Sequence, residues 1–262
     1  MGKKNSKPKI DIIIPNYNKG NYIDQAIMSV INQTYKNWQL FVIDDNSDDD
    51  SKKILKKYKN NKKIKIIYLK KNKGPGFCRN IGIAKSKSNF VAFLDSDDYW
   101  EKNKLFSQLK FMIKYKFEFT YTDYISFYQN GKKIKKIGLT RTPKNFTFNS
   151  FIKNTSINTS TLILKKNILK KSRFRNLKKH EDYIFKCEIF RKNKDLKAVK
   201  FDKTYAYYRV LKESRSQNKL VSIFYLWKYN KEFNKLSFVK NLFSIVFVSF
   251  NSLKKYGLNK GV

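Results

Sequence analysis

Short runs of β-branched and other apolar residues alternate with segments of helical periodicity through the first hundred residues. The apolar runs predict four buried strands, over 9–15, 40–45, 64–69 and 90–94. Between them, apolar positions recur every three or four residues, which predicts helices over 22–33, 52–58 and 77–84. Asn21 is the expected cap of the first helix. This alternation is typical of βαβ units, so we expect a mostly parallel sheet with helices on both faces.

The pattern changes after Trp100. An Asn130-Gly131 dipeptide between two β-like runs predicts a hairpin with strands over 119–129 and 132–139. Further strands are predicted over 160–164 and 199–210, and helices over 105–115 and 180–192. From residue 217 onwards the apolar spacing is helical. We therefore expect the chain to have three parts, at 1–100, 101–216 and 217–262.

Polar residues stand where three of the predicted strands end. Asn16-Tyr17-Asn18 follow the first strand, Asp44-Asp45 close the second, and Asp95-Ser96-Asp97-Asp98 follow the fourth. Ligands of open α/β sheets bind in the crevice beyond the carboxyl ends of the strands. The sequence therefore predicts a ligand site at this edge.

Acidic residues are concentrated in two short segments. Nine of the 20 lie within 44–50 and 95–101. A hard divalent cation prefers carboxylate oxygens and leaves its other positions to water and substrate phosphates, so Asp95 and Asp97 are candidate ligands. Acidic residues are also favoured at helix N-termini, and a capping cluster for a helix beginning near Tyr99 explains the spacing alone equally well.

The charge of the chain says little about its partners. The 262 residues include 58 Lys and Arg against 20 Asp and Glu, a formal net charge of +38. Only seven of the basic residues are arginine, the side chain that favours bidentate phosphate and base recognition. No helix-turn-helix, RRM or OB pattern occurs, so nucleic acid is not an expected partner.

Composition excludes several other classes. With 41% hydrophobic and 16% aromatic residues, the chain is not of the disordered type. Cys78 and Cys187 are far apart and His180 is the single histidine, which argues against a disulfide scaffold or a His-rich metal site. The longest apolar run, 242–250, is much shorter than the roughly 20 residues of a spanning helix. The N-terminus does not resemble a signal peptide, so we expect a cytoplasmic protein.

Charged residues outside the acidic segments are also candidates for chemistry. Glu181-Asp182 open a predicted helix; a carboxylate there could take a proton from a hydroxyl, or the pair could be an ordinary charged first turn. Arg79 follows a glycine-rich turn at 74–76, where a helix N-terminus can meet an anion. Arg209 and Arg215 flank a Ser-rich segment, which is equally compatible with a surface loop.

Six sequence segments occur in a recognisable order. They are Ile-Ile-Ile-Pro-Asn-Tyr-Asn at 12–18, Val-Ile-Asp-Asp-Asn-Ser at 42–47, Asn-Lys-Gly-Pro-Gly-Phe-Cys-Arg-Asn-Ile-Gly at 72–82, Phe-Leu-Asp-Ser-Asp-Asp at 93–98, His-Glu-Asp-Tyr at 180–183, and Tyr208-Arg209 followed by Ser214 and Ser216. Together they resemble the motifs of the family 2 inverting glycosyltransferases, and the resemblance extends from residue 9 to 216.

The resemblance implies the GT-A fold, an α/β fold with a Rossmann-like, mostly parallel sheet and helices on both faces, here followed by a C-terminal helical segment. Residues 1–100 would then be the nucleotide-sugar-binding half of one domain. Residues 101–216 would be its acceptor-binding and catalytic half.

The resemblance also implies roles for residues of the donor site. The expected nucleotide-binding residues are Pro15, Tyr17, Asp45, Arg79, Asp95 and Arg209. Tyr17 would stack on the base and Asp45 would hydrogen-bond to it, with Arg79 near the nucleotide and Arg209 near the diphosphate. Asp97, together with Asp95, would ligate a divalent metal, Mn²⁺ or Mg²⁺. Cys78 stands where the family more often has alanine, a departure that concerns packing.

The catalytic residues implied are Asp182, as the general base, and Glu181 beside it. The reaction would transfer a sugar from a nucleotide-sugar donor, expected to be a UDP-sugar, to a hydroxyl of a glycan or lipid-linked saccharide acceptor, with inversion. The alternative is a catalytically inactive protein of the same fold that binds a nucleotide sugar or glycan. The presence of all the acidic positions favours the enzyme, but the motifs do not identify the donor sugar, the acceptor or the linkage.

The C-terminal segment, 217–262, combines aromatic residues with lysines. This composition predicts an amphipathic helix on an anionic membrane surface, with the protein peripheral on the inner face of the cell membrane. A helix packed on the catalytic domain explains the same pattern equally well.

Overall fold

A computed structural model describes residues 7–131, 133–211 and 219–256 of the chain. Arg215, Ser214 and Ser216 of the Ser-rich segment lie outside the described residues. Among the described residues, no helix is both long enough and apolar enough to cross a membrane.

Ten strands of the described residues form one sheet. In chain order they are β1 (Ile10–Asn16), β2 (Trp38–Asp44), β3 (Ile64–Tyr68), β4 (Phe90–Phe93), β5 (Tyr99–Trp100), β6 (Phe119–Asn130), β7 (Lys133–Thr140), β8 (Asn145–Phe146), β9 (Ile163–Lys165) and β10 (Ala198–Arg209). The order across the sheet is β3-β2-β1-β4-β9-β6-β10-β5, with β7 paired to β6 and β8 paired to β10.

The sheet consists of a parallel half and a mixed half. Strands β1 to β4 are parallel to one another, which confirms the βαβ prediction for the first hundred residues. Strand β9 runs antiparallel to both β4 and β6, while β10 is parallel to β6 and antiparallel to β5. Because β5 pairs with β10, the segment after Asp98 is fixed by the last strand of the chain.

Helices cover both faces of the sheet. They are α1 (Gly20–Ile31), α2 (Ser51–Lys56), α3 (Pro75–Lys85), α4 (Lys104–Lys114), α5 (Phe148–Phe151), α6 (Glu181–Lys192), α7 (Lys219–Glu232) and α8 (Phe238–Tyr256). One apolar core contains residues of α1, α2 and α4, and the other contains residues of α3, α6 and α7. Strand β1 supplies both, since Ile13 faces one core while Ile12 and Ile14 face the other.

Helix α3 lies unusually close to β1. A Cβ atom at Gly82 would stand 2.5 Å from Ile13 Cγ2, so this position has room only for glycine. The same helix carries Arg79, which contacts Asp95 two residues after the end of β4.

Two local predictions are wrong. Helix α1 begins at Gly20, one residue before the predicted cap Asn21, because the carboxylate of Asp49 accepts a hydrogen bond from the Gly20 N–H at 2.7 Å. The predicted strand over 160–164 is a 3₁₀ turn, Thr159–Thr161, followed by β9. The C-terminal segment is helical as predicted, and its described part contains two helices, α7 and α8.

Candidate active site

The carboxyl ends of β1 and β2 are held together by buried polar side chains. Asn16 Nδ2 donates to Asp44 Oδ1 at 2.8 Å, and the Ser47 hydroxyl donates to the same oxygen at 2.7 Å. The N–H of Ser47 donates to Asp44 Oδ2 at 3.1 Å, and the N–H of Asn18 donates to Ser47 Oγ at 3.0 Å. Asp44 therefore organises the turns after both strands.

Asp45 fixes the glycine-rich turn before α3. Its side chain is buried and accepts hydrogen bonds from the N–H groups of Lys73, at 2.8 Å, and Gly74, at 2.7 Å. Gly74 has a φ of +87°, a conformation that glycine adopts without a steric penalty. Burial, reinforced by Asp45, raises the pKa of the Cys78 thiol, so this cysteine is an inert core residue.

Pro15 and Tyr17 occupy different positions at the end of β1. Pro15 is buried within the strand, beyond the last residue that pairs with β4, so its missing N–H interrupts no hydrogen bond on that side. Tyr17 follows the strand and is 41% exposed, so its ring is accessible to a ligand at the sheet edge.

Arg79 connects the acidic segment after β4 with the start of α6. Its guanidinium is 5% exposed and contacts Asp95 Oδ1, after β4, at 2.6 Å, and Glu181 Oε1, at the start of α6, at 3.5 Å. The guanidinium also lies 5.2 Å from the centre of the Phe174 ring. Three candidate residues from distant parts of the sequence thus meet at one place.

Asp182 lies in the same first turn of α6, and a buried lysine holds it. Lys186 Nζ donates to Asp182 Oδ2 at 2.7 Å, and the Thr159 hydroxyl donates to the same oxygen at 3.2 Å. Burial acts to raise the pKa of Asp182, but the charge and hydrogen bond of Lys186 outweigh it and hold the pKa well below the ordinary value. The carboxylate is therefore ionised at neutral pH, and both described hydrogen bonds fall on Oδ2.

The acidic segment after β4 carries two further carboxylates. Asp97 Oδ2 lies 3.1 Å from Lys19 Nζ, while Asp98 is buried and accepts from the Ser160 hydroxyl at 2.6 Å and from the Arg209 N–H at 3.0 Å. Burial and the charge of Asp95 raise the pKa of Asp97 against the opposing effect of Lys19. Burial also raises the pKa of Asp98, together with the charges of Asp97 and Asp95.

Arg209 is buried against the acidic segment at 95–98 and holds its backbone. Its Nε donates to the Asp97 carbonyl at 2.8 Å, and its other nitrogens donate to the side chains of Gln25 and Gln129. The guanidinium lies between the rings of Tyr22 and Phe127, 4.5 Å from each centre, and is 3% exposed. Arg209 therefore fixes the backbone of the acidic segment at Asp97.

The turn at 158–161 ties the site to the second half of the sheet. Ser160 Oγ accepts from the Asp95 N–H at 3.1 Å, and the Ser160 carbonyl accepts from Trp100 Nε1 at 2.7 Å. The Asn158 side chain caps the turn by accepting from the Ser160 N–H at 2.7 Å. Sequence reasoning missed this turn, as it missed Lys19 and Lys186. An Asn two residues before a serine is a local turn signal that could have indicated it.

A divalent cation fits the acidic segment chemically. Among the described residues no three His, Cys, Asp or Glu side chains converge closely enough to form a metal site. Asp95 and Asp97 nevertheless offer oxygen ligands of the kind that Mg²⁺ and Mn²⁺ take, and their mutual repulsion contributes to the raised pKa of Asp97. Each is paired with a basic side chain, Asp95 with Arg79 and Asp97 with Lys19.

The family follows from comparison with known proteins. The family model described as Glycosyl transferase family 2 matches residues 11–173, more than half of the chain. The matched region includes the ends of β1, β2 and β4 and the turn at 158–161. The protein belongs to glycosyltransferase family 2.

Two relatives resemble the chain over most of their length. The putative teichuronic acid biosynthesis glycosyltransferase TuaG of Bacillus subtilis is 31% identical over 252 residues, covering 96% of this chain and 98% of the relative. The Escherichia coli enzyme WfgD, named as a UDP-Glc:α-D-GlcNAc-diphosphoundecaprenol β-1,3-glucosyltransferase, is 32% identical over 218 residues, 83% of either chain.

Solved structures confirm the GT-A fold. S. aureus TarS 1–349 in complex with UDP-GlcNAc matches with a TM-score of 0.71 at 23% identity, over 96% of this chain and 74% of that one. The mannosyltransferase PcManGT from Pyrobaculum calidifontis, in complex with GDP-Man and Mn²⁺, matches with a TM-score of 0.67 at 11% identity, over 98% and 77%.

Proposed function

We propose that this enzyme transfers a sugar from a UDP-sugar to a hydroxyl of a lipid-linked saccharide, with inversion and with a divalent metal. The observation that carries the proposal is the contact of Arg79 with both Asp95 and Glu181, which sets the donor-side carboxylate cluster next to Asp182. The names of WfgD, with its diphosphoundecaprenol-linked acceptor, and of TarS bound to UDP-GlcNAc support the substrate classes.

In the proposed reaction Asp182 is the general base. An acceptor hydroxyl attacks the anomeric carbon, its proton passes to Asp182, and the bond from that carbon to the diphosphate oxygen breaks with its electron pair on the diphosphate. Lys186 and Thr159 hold Oδ2, which leaves Oδ1 to receive the proton. Glu181, held by Arg79, keeps the first turn of α6 in place beside the donor side.

On the donor side, Tyr17 and Asp45 are the proposed contacts for the base, with Pro15 shaping the strand end beneath them. Asp95 and Asp97 would hold the metal, and Mn²⁺ or Mg²⁺ supplies positive charge beside the diphosphate when bound. The Mn²⁺ in the PcManGT complex supports this assignment. A lipid-linked acceptor is held at a membrane, so the proposal includes peripheral contact with the inner face of the cell membrane.

A panel of sugar nucleotides tests the proposal. The purified protein is incubated with each donor, Mn²⁺ and a GlcNAc-diphosphoryl-lipid acceptor, and released nucleoside diphosphate and glycosylated lipid are measured. Asp182→Asn should bind the donor normally and lose transfer by about 10²–10⁴-fold, the usual contribution of a general base.

Glu188→Gln is the matched control. Glu188 lies on the same helix and pairs with Lys192 at 2.7 Å, away from the candidate base. This variant should transfer at the rate of the unmodified enzyme. Transfer by Asp182→Asn at that same rate would exclude Asp182 as the base, and donor binding without turnover by the unmodified protein would favour the inactive alternative.

A further inference from the structure

Helix α8 carries its apolar residues on the outside of the protein. The exposed side chains between 239 and 253 are apolar with one exception, Lys240. The apolar ones recur at helical spacing on one side of the helix and define the α8 apolar face: Val239, Leu242, Phe243, Val246, Phe247, Phe250 and Leu253. The face runs along the helix for about 20 Å, given a rise of 1.5 Å per residue.

The opposite side of α8 packs against the protein, where Ile245 and Val248 contact an apolar core and two polar side chains are buried. Asn241 and Ser244 are almost completely buried, and both accept hydrogen bonds at 3.0 Å from Asn230 Nδ2 of α7. The Ser244 hydroxyl donates to the carbonyl of Ile152, and Asn241 Nδ2 donates to the carbonyl of Trp227. These contacts fix the rotation of the helix, so the outward direction of the α8 apolar face is built into the fold.

A water-exposed surface helix normally buries its apolar side and exposes its polar side. Helix α8 has an exposed apolar face in addition to its buried side, and such a face needs an apolar partner, because monomeric proteins rarely expose continuous apolar patches of this extent. The neighbouring α7 also has exposed apolar side chains, Leu220 and Phe224, which are 81% and 62% exposed.

The charges around the face select the partner. Helix α8 contains no acidic residue. Lys240 lies on the exposed side, and Lys153 Nζ lies 5.5 Å from the centre of the Phe247 ring at the edge of the face. A second copy of this chain carries the same net charge of +38 and would repel the first. An anionic lipid surface offers the complementary charge together with apolar acyl chains.

We propose that the α8 apolar face lies in the interface of an anionic lipid bilayer, with the helix parallel to the membrane plane. This inference rests on the proposed function, because an enzyme that uses a lipid-linked acceptor must reach it at the membrane. Phenylalanine and leucine enter the boundary between headgroups and acyl chains, and the lysines at the edge contact anionic headgroups.

The lipid-facing surface is coupled directly to the helix of the candidate base. The Tyr183 hydroxyl of α6 donates to Asn230 Oδ1 at 2.7 Å, and His180 Nε2 lies 2.9 Å from the Ser222 hydroxyl of α7. Asn230 thus contacts α6 and α8 at once. The bilayer would therefore set the orientation of Asp182 relative to the membrane plane.

Vesicle co-sedimentation of the full chain tests the inference. Vesicles of phosphatidylcholine with 30% phosphatidylglycerol should bind the protein, and pure phosphatidylcholine vesicles should bind it much more weakly. The triple variant Leu242→Gln, Val246→Gln, Phe250→Gln should reduce partitioning to the anionic vesicles at least tenfold.

A second triple variant provides the matched control. Ile134, Ile137 and Leu139 of β7 are also exposed apolar side chains, and their replacement by threonine should leave vesicle binding unchanged. Donor hydrolysis without vesicles should be the same for both variants. Equal hydrolysis shows that each variant is folded. It also tests the proposed function separately from membrane binding.

Unchanged vesicle binding by the α8 variant would overturn the inference. So would a dimer of the unmodified protein, detected by analytical ultracentrifugation without lipid, that the α8 substitutions dissociate while vesicles bind neither protein. In that case the partner would be a second copy.

Discussion

Lys186 sets the charge state of the carboxylate proposed as the base. Its ammonium group is buried and divides its hydrogen bonds between Asp182 Oδ2 and the Ile157 carbonyl, at 2.7 and 2.8 Å. The pair keeps Asp182 ionised, which a base requires, and fixes one of its oxygens. The same pairing lowers the proton affinity of Asp182. Lys186 therefore fixes the position of this carboxylate but makes it a weaker base.

Replacing Lys186 by methionine should therefore move the pH dependence of transfer. Without the ammonium group the pKa of Asp182 rises towards its ordinary value. As the pH is lowered, the variant should therefore lose activity at a higher pH than the unmodified enzyme. The measurement is kcat/KM against pH with a fixed donor. Lys192→Met is the control, because Lys192 forms the equivalent pair with Glu188 four residues earlier, and its profile should not move.

Lys104 is a second buried lysine. Burial lowers its pKa from 10.5 to about 7, and its Nζ donates to Gln108 Oε1 at 2.8 Å and lies 4.6 Å from the centre of the Trp100 ring. Unfolding restores the ordinary pKa, so between about pH 7 and 10 the unfolded chain binds more protons than the folded one. Stability should accordingly rise with pH through this interval, by up to about 1.4 kcal/mol per unit from this group.

Urea unfolding of Lys104→Met at pH 7 and pH 9 isolates that contribution. The variant should show a smaller gain in the free energy of unfolding over this interval than the unmodified protein. Lys102→Met, two residues earlier and exposed, should retain the full gain. Equal gains in all three proteins would contradict a neutral Lys104 in the folded state.

At the level of elements, the contact between α3 and β1 leaves little room for change in the parallel half of the sheet. Gly82→Ala would place a methyl group 2.5 Å from Ile13 Cγ2, which must force the helix away from the strand. We expect a loss of about 1–3 kcal/mol in the free energy of unfolding, the usual cost of overpacking a core. Gly138→Ala, where nothing lies within 4 Å, should change it by less than about 0.5 kcal/mol in the same urea titration.

Elements with strong local signals were predictable, and elements formed by distant contacts were not. The apolar runs of β1 to β4 and the Asn130-Gly131 turn are local patterns, and the structure contains all of them. The 3₁₀ turn Thr159–Thr161 is stabilised by contacts with Asp95, Asp98 and Asp182, which no local pattern reveals. Asn21 is not the cap for the same reason. The carboxylate of Asp49, which belongs to another loop, accepts the hydrogen bond from the Gly20 N–H at the start of the helix.

At the scale of the whole molecule, the net charge of +38 opposes folding through self-repulsion. Raising NaCl from 20 to 200 mM shortens the Debye length from about 20 Å to about 7 Å and screens most of this repulsion. The melting temperature should therefore rise by a few degrees, measured by circular dichroism. A melting temperature that falls with salt would show that attractive surface pairs outweigh the repulsion.

The acidic part of the candidate site could be predicted from the sequence because its residues end strands of one sheet. Asp45, Asp95 and Asp97 stand at strand ends whose meeting follows from parallel pairing alone. The basic partners could not be predicted in the same way. Lys19 and Lys186 are two among 51 lysines, and only the folded chain distinguishes them.

The pairing of β5 with β10 has a consequence for synthesis of the chain on the ribosome. Strands β1 to β4 can pair as soon as about 100 residues have emerged, but the Asp98 side chain and the Asp97 carbonyl are held by Arg209. At translation rates of about 5–20 residues per second, the parallel half of the sheet waits roughly 5–20 s for that arginine. Throughout this interval the Asp98 side chain and the Asp97 carbonyl lack their partner, so the acidic segment reaches its final arrangement only after residue 209 has emerged.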